Sequence, residues 1–214
     1  KTGEMINYIK NGYEFLNINP TDNKKGFVPN LVRASLDNDS YGQKGGWEKI
    51  KLHNATTVCK SFDYADKLVC AKIGASYVIK NGFKTHFRAN LIYTVYPDGL
   101  VNVECQLSKG MFYGRSSHEK FENICDLKDH AYIGIWRTDV EAMHEPYVMP
   151  QDNGNCGGVK WLKLMNSEGN VFTVYGEPKF SFSAHNYTQK ALDKAKHQEE
   201  LEYADTTFLS IDGF

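Results

Sequence analysis

The sequence predicts an all-β fold, an antiparallel sandwich with one short helix near its C-terminus. Three observations lead there. Aromatic residues make up 13% of the chain, with 13 Tyr and 12 Phe, and flat, stiff side chains pack well on a pleated, half-buried surface. Strand signals recur at short intervals between turn residues. Only one stretch, Gln189 to Leu201, has helical spacing, so the alternation of strands and long helices that a (β/α)₈ barrel needs is missing. At 214 residues the chain suits one large sandwich, and a single domain over 1–214 is expected.

The elements follow in order. Ala55 to Asp63 and Leu68 to Ala75 read as two strands around a polar turn. Thr85 to Tyr96 is the clearest strand: Phe87, Ala89, Leu91, Tyr93 and Val95 fall on one face, and His86, Arg88, Asn90 and Thr94 on the other, an alternation of period two. Pro97-Asp98-Gly99 then supplies a preset φ followed by a residue tolerant of positive φ, and Leu100 to Cys105 returns as the second arm of a hairpin. Tyr113 to Pro150 is polar and irregular and reads as a long connection. Val159 to Met165 and Val171 to Tyr175 flank Ser167-Glu168-Gly169-Asn170, and Phe180, Phe182 and Ala184 alternate with Ser181 and Ser183. Thr188 is placed to cap the helix through its side-chain oxygen, with Leu192, Ala195 and Leu201 as its apolar stripe. Phe172, Phe180, Phe182 and Tyr93 are the expected core aromatics.

Charge and cysteine content narrow the function classes. Lys and Arg total 25 against 26 Asp and Glu, so no global field exists to gather phosphate or anionic lipid, and nucleic acid is not an expected partner. No apolar run approaches the roughly 18 residues of a membrane helix, and the start at Lys1 carries no secretory apolar region, so no membrane is expected either. Because Lys1 is not Met and Phe214 follows an apparent strand, a piece of a longer chain is expected. The five cysteines, Cys59, Cys70, Cys105, Cys125 and Cys156, show neither a CxxC pair nor zinc spacing, and buried free thiols are the plain reading. Cys59 and Cys70 could face each other across a hairpin. Cytoplasm and periplasm are both compatible with an odd count. No metal and no cofactor are implied.

Several motifs have chemical potential. In Leu31-Val32-Arg33-Ala34-Ser35-Leu36-Asp37-Asn38-Asp39 an extended backbone puts Asp37 and Asp39 on one side, where two carboxylates, an amide and Arg33 can converge on polyol hydroxyls or a cation. The plainer reading is a turn stabilised by Asx side chains. Tyr147-Val148-Met149-Pro150-Gln151-Asp152-Asn153-Gly154-Asn155 reads as a turn into the strand at Val159. His185, after Phe180-Ser181-Phe182-Ser183-Ala184, reads as a structural histidine before it reads as a catalyst. A glycosidase needs two carboxylates about 5 to 9.5 Å apart. Asp139 with Glu141, and Glu119 with Glu122, meet only the requirement of residue type.

Taken together these motifs resemble the C-terminal, or small-chain, domain of family-2 β-galactosidases. Gly12 to Ile18 is similar to the opening strand, and Arg33 to Asp39 to the family's Arg-Ala-Pro-x-Asp-Asn-Asp. Tyr113-Gly114-Arg115 with Glu119 and Phe121 resembles its Tyr-Gly-Arg-Gly-Pro-x-Glu-x-Tyr segment. Pro146 to Asn155 is the sharpest match, and Phe180 to Thr188, His197, Glu200, Leu201 and Leu209 to Phe214 follow in family order. The chain departs by being shorter between Cys105 and Tyr113, by Ser116-Ser117 and Glu122-Asn123 in place of Gly-Pro and Asp-Arg, and by stopping before the family's Gly-Gly-Asp-x-Ser-Trp motif.

The resemblance implies a large antiparallel supersandwich similar to galactose mutarotases, packed beside a catalytic barrel that carries both glutamates. No catalytic residue is then expected in this chain. Arg33, Asp37, Asn38, Asp39, Tyr41 and Trp47 are the expected substrate-binding residues at the edge of a galactoside pocket. Gly42, Gly45 and Gly46 allow the loop from Ser40 to Trp47 large backbone excursions, and Tyr41 and Trp47 offer faces for a sugar. Trp47 in a core beside an ordinary turn is the competing reading. Expected partners are a carbohydrate and the catalytic barrel of the same or a companion chain, with homo-oligomerisation open. The alternatives are a stand-alone carbohydrate-binding or mutarotase-like protein using His185 or His118, and a purely structural assembly domain.

Overall fold

In a computed structural model the structure describes residues 3–16, 29, 31, 36, 51–109 and 135–213. Their regular structure is mostly antiparallel strand, as expected. They belong to two compact units, the first carrying the strands between Tyr8 and Lys109 and the second those from Cys156 to Gly213 with the helix.

The first unit is built on a four-stranded sheet in the order β3 (Thr56–Lys67), β4 (Cys70–Asn81), β5 (Lys84–Val95), β6 (Val101–Lys109). All neighbours are joined by hairpins. The expected turn between Asp63 and Leu68 is instead strand, because β3 and β4 stay in register as far as Lys67 opposite Cys70 and turn only at Leu68-Val69. The predicted turn after β5 is present in detail. Gly99 takes φ +87°, its N–H donates to the Tyr96 carbonyl at 3.0 Å, and the Asp98 carboxylate accepts from Leu100 N at 2.9 Å. A short hairpin, β1 (Tyr8–Lys10) and β2 (Tyr13–Leu16), turns at Asn11-Gly12, both with positive φ. It is tied to the β5–β6 turn by the Tyr8 hydroxyl donating to Gly99 O at 2.6 Å and Lys10 Nζ donating to Asp98 O at 2.8 Å.

Alternation puts one face of β4 and β5 in the core. Tyr77 stands opposite Ala89 and Leu91 opposite Ala75, large against small, the pairing that fills a face without voids. The N-terminal segment lies directly on this face. A Cβ at Gly3 would come within 2.7 Å of Ala75 Cβ and 2.8 Å of the Tyr77 hydroxyl, and Gly3 has φ +70°, so only glycine fits without displacement. Burial drives the Tyr77 phenol far above its ordinary pKa and pushes Tyr93 up to about 12, with neighbouring Cys and Glu4 side chains adding to both. The assignment of His86 to the outer face is corrected. Register passes from Ile79 opposite Phe87 to Lys80 opposite Thr85, so His86 is the extra residue of a bulge and is buried. Burial and then Lys84 lower its pKa, and its Nε2 has no hydrogen-bond partner among the described residues.

The second unit is a three-stranded sheet, β7 (Cys156–Met165), β8 (Val171–His185), β9 (Phe208–Gly213), with β8 central. The two strand signals expected at Val171–Tyr175 and Phe180–Ala184 belong to this single long strand. They are separated where Trp161 pairs with Tyr175 and Val159 with Phe180, so that 176–179, with the cis Glu177–Pro178 bond, loops out of register. The turn before β8 is the one the sequence predicts, with Asn166 Oδ1 accepting from the backbone of Glu168 and Asn170.

Phe180, Phe182 and Ala184 form the core with Val140, Met143, Cys156, Val159, Leu209 and Ile211 around them. Phe172 is only partly buried, which corrects its assignment to the core. Helix α1 is shorter than its sequence signal, Gln189–Lys194, followed by a separate 3₁₀ turn at Gln198–Glu200. Its cap is as expected, Thr188 Oγ1 accepting from Ala191 N at 3.0 Å. The cysteines also differ from expectation. Cys59 pairs with Tyr77 and Cys70 with Lys67, so the two do not face each other. Cys59 and Cys70 are free and only partly buried, Cys105 is free and exposed, and Cys156 is partly buried. Cys125 lies outside the described residues.

Phe182→Ala should lower the unfolding free energy by about 3–5 kcal/mol, the usual cost of truncating a buried aromatic, and Phe172→Ala should cost clearly less. Urea unfolding of both variants checks the assignment, and equal losses would contradict it.

Candidate functional site

The six residues expected at the sugar pocket, Arg33, Asp37, Asn38, Asp39, Tyr41 and Trp47, lie outside the described residues, as do His118, Glu119 and Glu122. Asp139 and Glu141 are described, and both are exposed. Among the described residues the concentration of buried polar side chains lies in the second unit, where the segment from Pro150 to Gly154 meets the end of β8.

This cluster is built by local chain geometry. The 3₁₀ turn Glu141–Met143 brings His144 beside the 151–154 segment. Asn153 joins the two, accepting from Glu145 N at 3.2 Å and donating to Gln151 O at 3.0 Å. Gly154 (φ +66°) lets the strands of loop touch, since a Cβ there would lie 2.8 Å from the Met143 carbonyl oxygen. Gln151 and Asn153 are both buried, so the amides of the expected turn act as internal bracing.

His185 ends β8 and is buried, with Nε2 3.5 Å from an Asp152 carboxylate oxygen. His144 approaches it edge-on, with ring centroids 6.5 Å apart, and stacks at a tilt against Tyr187 at 4.9 Å. Gln198, from the turn after α1, places its Nε2 2.8 Å from His144 Nε2. Burial lowers the pKa of His144, His185 adds to this, and Gln198 and Glu145 oppose it in part. His144 and Gln198 carried no sequence signal: they are 54 residues apart, and only the fold reveals them as partners.

An Asp–His pair can in principle serve as a base. Here neither ring nitrogen of His185 has a hydrogen-bond partner among the described residues, so no hydroxyl or thiol is held for activation. The adjoining cleft, lined by Val140, Glu141, His144, Asn186, Tyr187 and Tyr203, encloses ≈ 100 Å³, well below the roughly 300–1,000 Å³ of small-molecule sites. Among the described residues no group of three or more His, Cys, Asp or Glu could hold a metal ion. The arrangement therefore suits structural bracing of the loop against β8 better than catalysis.

Comparison with known proteins identifies the surroundings of this cluster. A family model described as beta galactosidase small chain matches residues 1–214. The chain belongs to the β-galactosidase small-chain family. Relatives include the β-galactosidase of Oenococcus oeni, 24% identical, covering 100% of this chain and 22% of the relative. That of Streptococcus thermophilus is 25% identical over 97% of this chain and 21% of its own length. A Photobacterium profundum β-galactosidase is 37% identical over a shorter region, 43% of this chain. The small-chain sequence thus spans about a fifth of the length of the longer-matching relatives. The Oenococcus alignment runs over 242 residues, more than this chain possesses, so that relative carries residues missing here.

Both His86 and His144 bind a proton more weakly in the folded state than their ordinary value of 6.5. Their contribution to stability is complete above about pH 6.5 and is lost as pH falls below it, where the unfolded chain takes up protons that the native state resists. Urea midpoints should therefore drop between pH 7.5 and 5.5, and drop less in His144→Gln. An unchanged pH response in that variant would refute the role of His144.

Proposed function

We propose that this chain is the non-catalytic small-chain domain of a retaining family-2 β-galactosidase, an enzyme that hydrolyses terminal β-galactosides in carbohydrate catabolism. The observation that carries the reading is the family match along all 214 residues, combined with coverage of only about a fifth of the relatives. In this reading the acid and the nucleophile belong to the barrel outside this chain. Asp139 and Glu141 support it by standing exposed, whereas the two carboxyl groups of a glycosidase flank the scissile bond of a bound sugar.

The domain's part is to shape the edge of the sugar pocket. Arg33, Asp37, Asn38 and Asp39 supply donors and acceptors for galactose hydroxyls, and Tyr41 and Trp47 supply apolar faces for the ring. Contacts of this kind position the substrate, and misplacement by about 1 Å is enough to cost on the order of 100-fold in rate.

The isolated chain should fail to hydrolyse a chromogenic β-galactoside, and deleting the segment from the complete enzyme should lower turnover by about 100-fold. Turnover by a preparation free of host enzyme would overturn the reading. Trp47→Ala in the complete enzyme should lower kcat/KM by about tenfold while leaving stability nearly intact. A loss of about 3–5 kcal/mol of stability with turnover unchanged would instead assign Trp47 to a core.

A further inference from the structure

Hairpin turns are ordinarily polar or glycine-rich, since their side chains point into water and their backbones need special φ values. One end of the four-stranded sheet departs from this. The β3–β4 hairpin turns on Leu68 and Val69, which are 102% and 65% exposed. Two strands away, the β5–β6 turn is flanked by Tyr96 and Leu100, at 37% and 53% exposed. The register places both turns at the same end, because Ala71 stands opposite Val95 and Val95 opposite Val101. The turn at the opposite end exposes a single large apolar residue, Phe83, between Asn81-Gly82 and Lys84.

Four apolar side chains in turn and turn-flanking positions contribute little to the unit's own core. Each leaves hydrocarbon in water, and clustering of such residues marks surfaces that are covered in use. Charge argues against an anionic partner, since the chain's net charge is −1. Coverage argues for an occupant of a definite kind: about four-fifths of the length of the relatives lies outside this segment and has to meet it somewhere.

We infer that the end of the sheet formed by Leu68, Val69, Tyr96 and Leu100 is the docking surface for the part of the β-galactosidase polypeptide that lies outside these 214 residues. The inference rests on the reading of the chain as a domain of a longer β-galactosidase, and assigns a surface to that contact. Apolar turn tips fit a partner with a shallow apolar recess, into which Leu68 and Leu100 insert as anchors and lose their contact with water.

The test uses the complete enzyme. A photoreactive benzoylphenylalanine replaces Leu68 or Leu100, the enzyme is irradiated, and cross-linked peptides are mapped by mass spectrometry in a mixture of isotopically light and heavy protein. Cross-links to peptides outside the 214-residue segment are expected. Cross-links confined to the segment, including its second unit, or to the same segment of a second copy would overturn the inference, as would none. Against disruption of docking by the bulky probe, Leu68→Cys and Leu100→Cys provide a second measurement. Maleimide should modify them at least tenfold more slowly than Ser167→Cys in the exposed β7–β8 turn, and equal rates would overturn the inference. Failure of the functional reading looks different: deletion of the segment would then leave turnover unchanged, whatever the labelling shows.

Discussion

Backbone pressed onto a side-chain surface is the constraint on which both units depend. Each sheet has interior strands, β4 and β5 in one and β8 in the other, whose apolar face has to be shielded from water, and in each unit irregular chain supplies part of the cover. The approach is close enough to forbid a side chain at one point. Gly3 lies over Ala75 and Tyr77, and Gly154 against the Met143 carbonyl. Short distances of this kind require small partners, and Ala75 supplies one beneath Gly3 in a face that also carries Leu and Tyr. Large residues there would lift the covering segment and open the core to solvent.

The same economy governs the polar interior of the second unit. Asn153 exchanges hydrogen bonds with Gln151 and Glu145, so its burial is offset. His185 makes the longer Asp152 contact at 3.5 Å. Within the sharpest family-like segment of the sequence, Pro146 to Asn155, the residues Pro150, Gln151 and Asn153 thus serve as buried bracing.

Legibility in the sequence followed the range of the interaction. The Pro97-Asp98-Gly99 turn, the Thr188 cap and the alternation of Phe180, Phe182 and Ala184 are local, set by residues within a few positions of one another, and each is present in the structure. His86 escaped because a single extra residue in β5 shifts side chains between faces, and nothing nearby announces the bulge. The length of β3 escaped because Asp63, Asp66 and Lys67 are charged, and an edge strand rich in charge has the composition of a turn. The pairing of His144 with Gln198 depends on a fold-level meeting that spacing does not encode. The expected sugar-binding set from Arg33 to Trp47 came from family resemblance together with residue chemistry, and it falls on residues outside those described.

The two buried tyrosines set an alkaline limit on the first unit. A phenol sheltered from water keeps its proton long after exposed tyrosines have surrendered theirs, so Tyr77 and Tyr93 remain neutral where the unfolded chain would already carry phenolate. Above about pH 10, where ordinary phenols ionise, every further rise in pH favours the unfolded chain. In this unit the hydroxyls that complete the packing of the sheet are also the groups through which strong base would dissolve it.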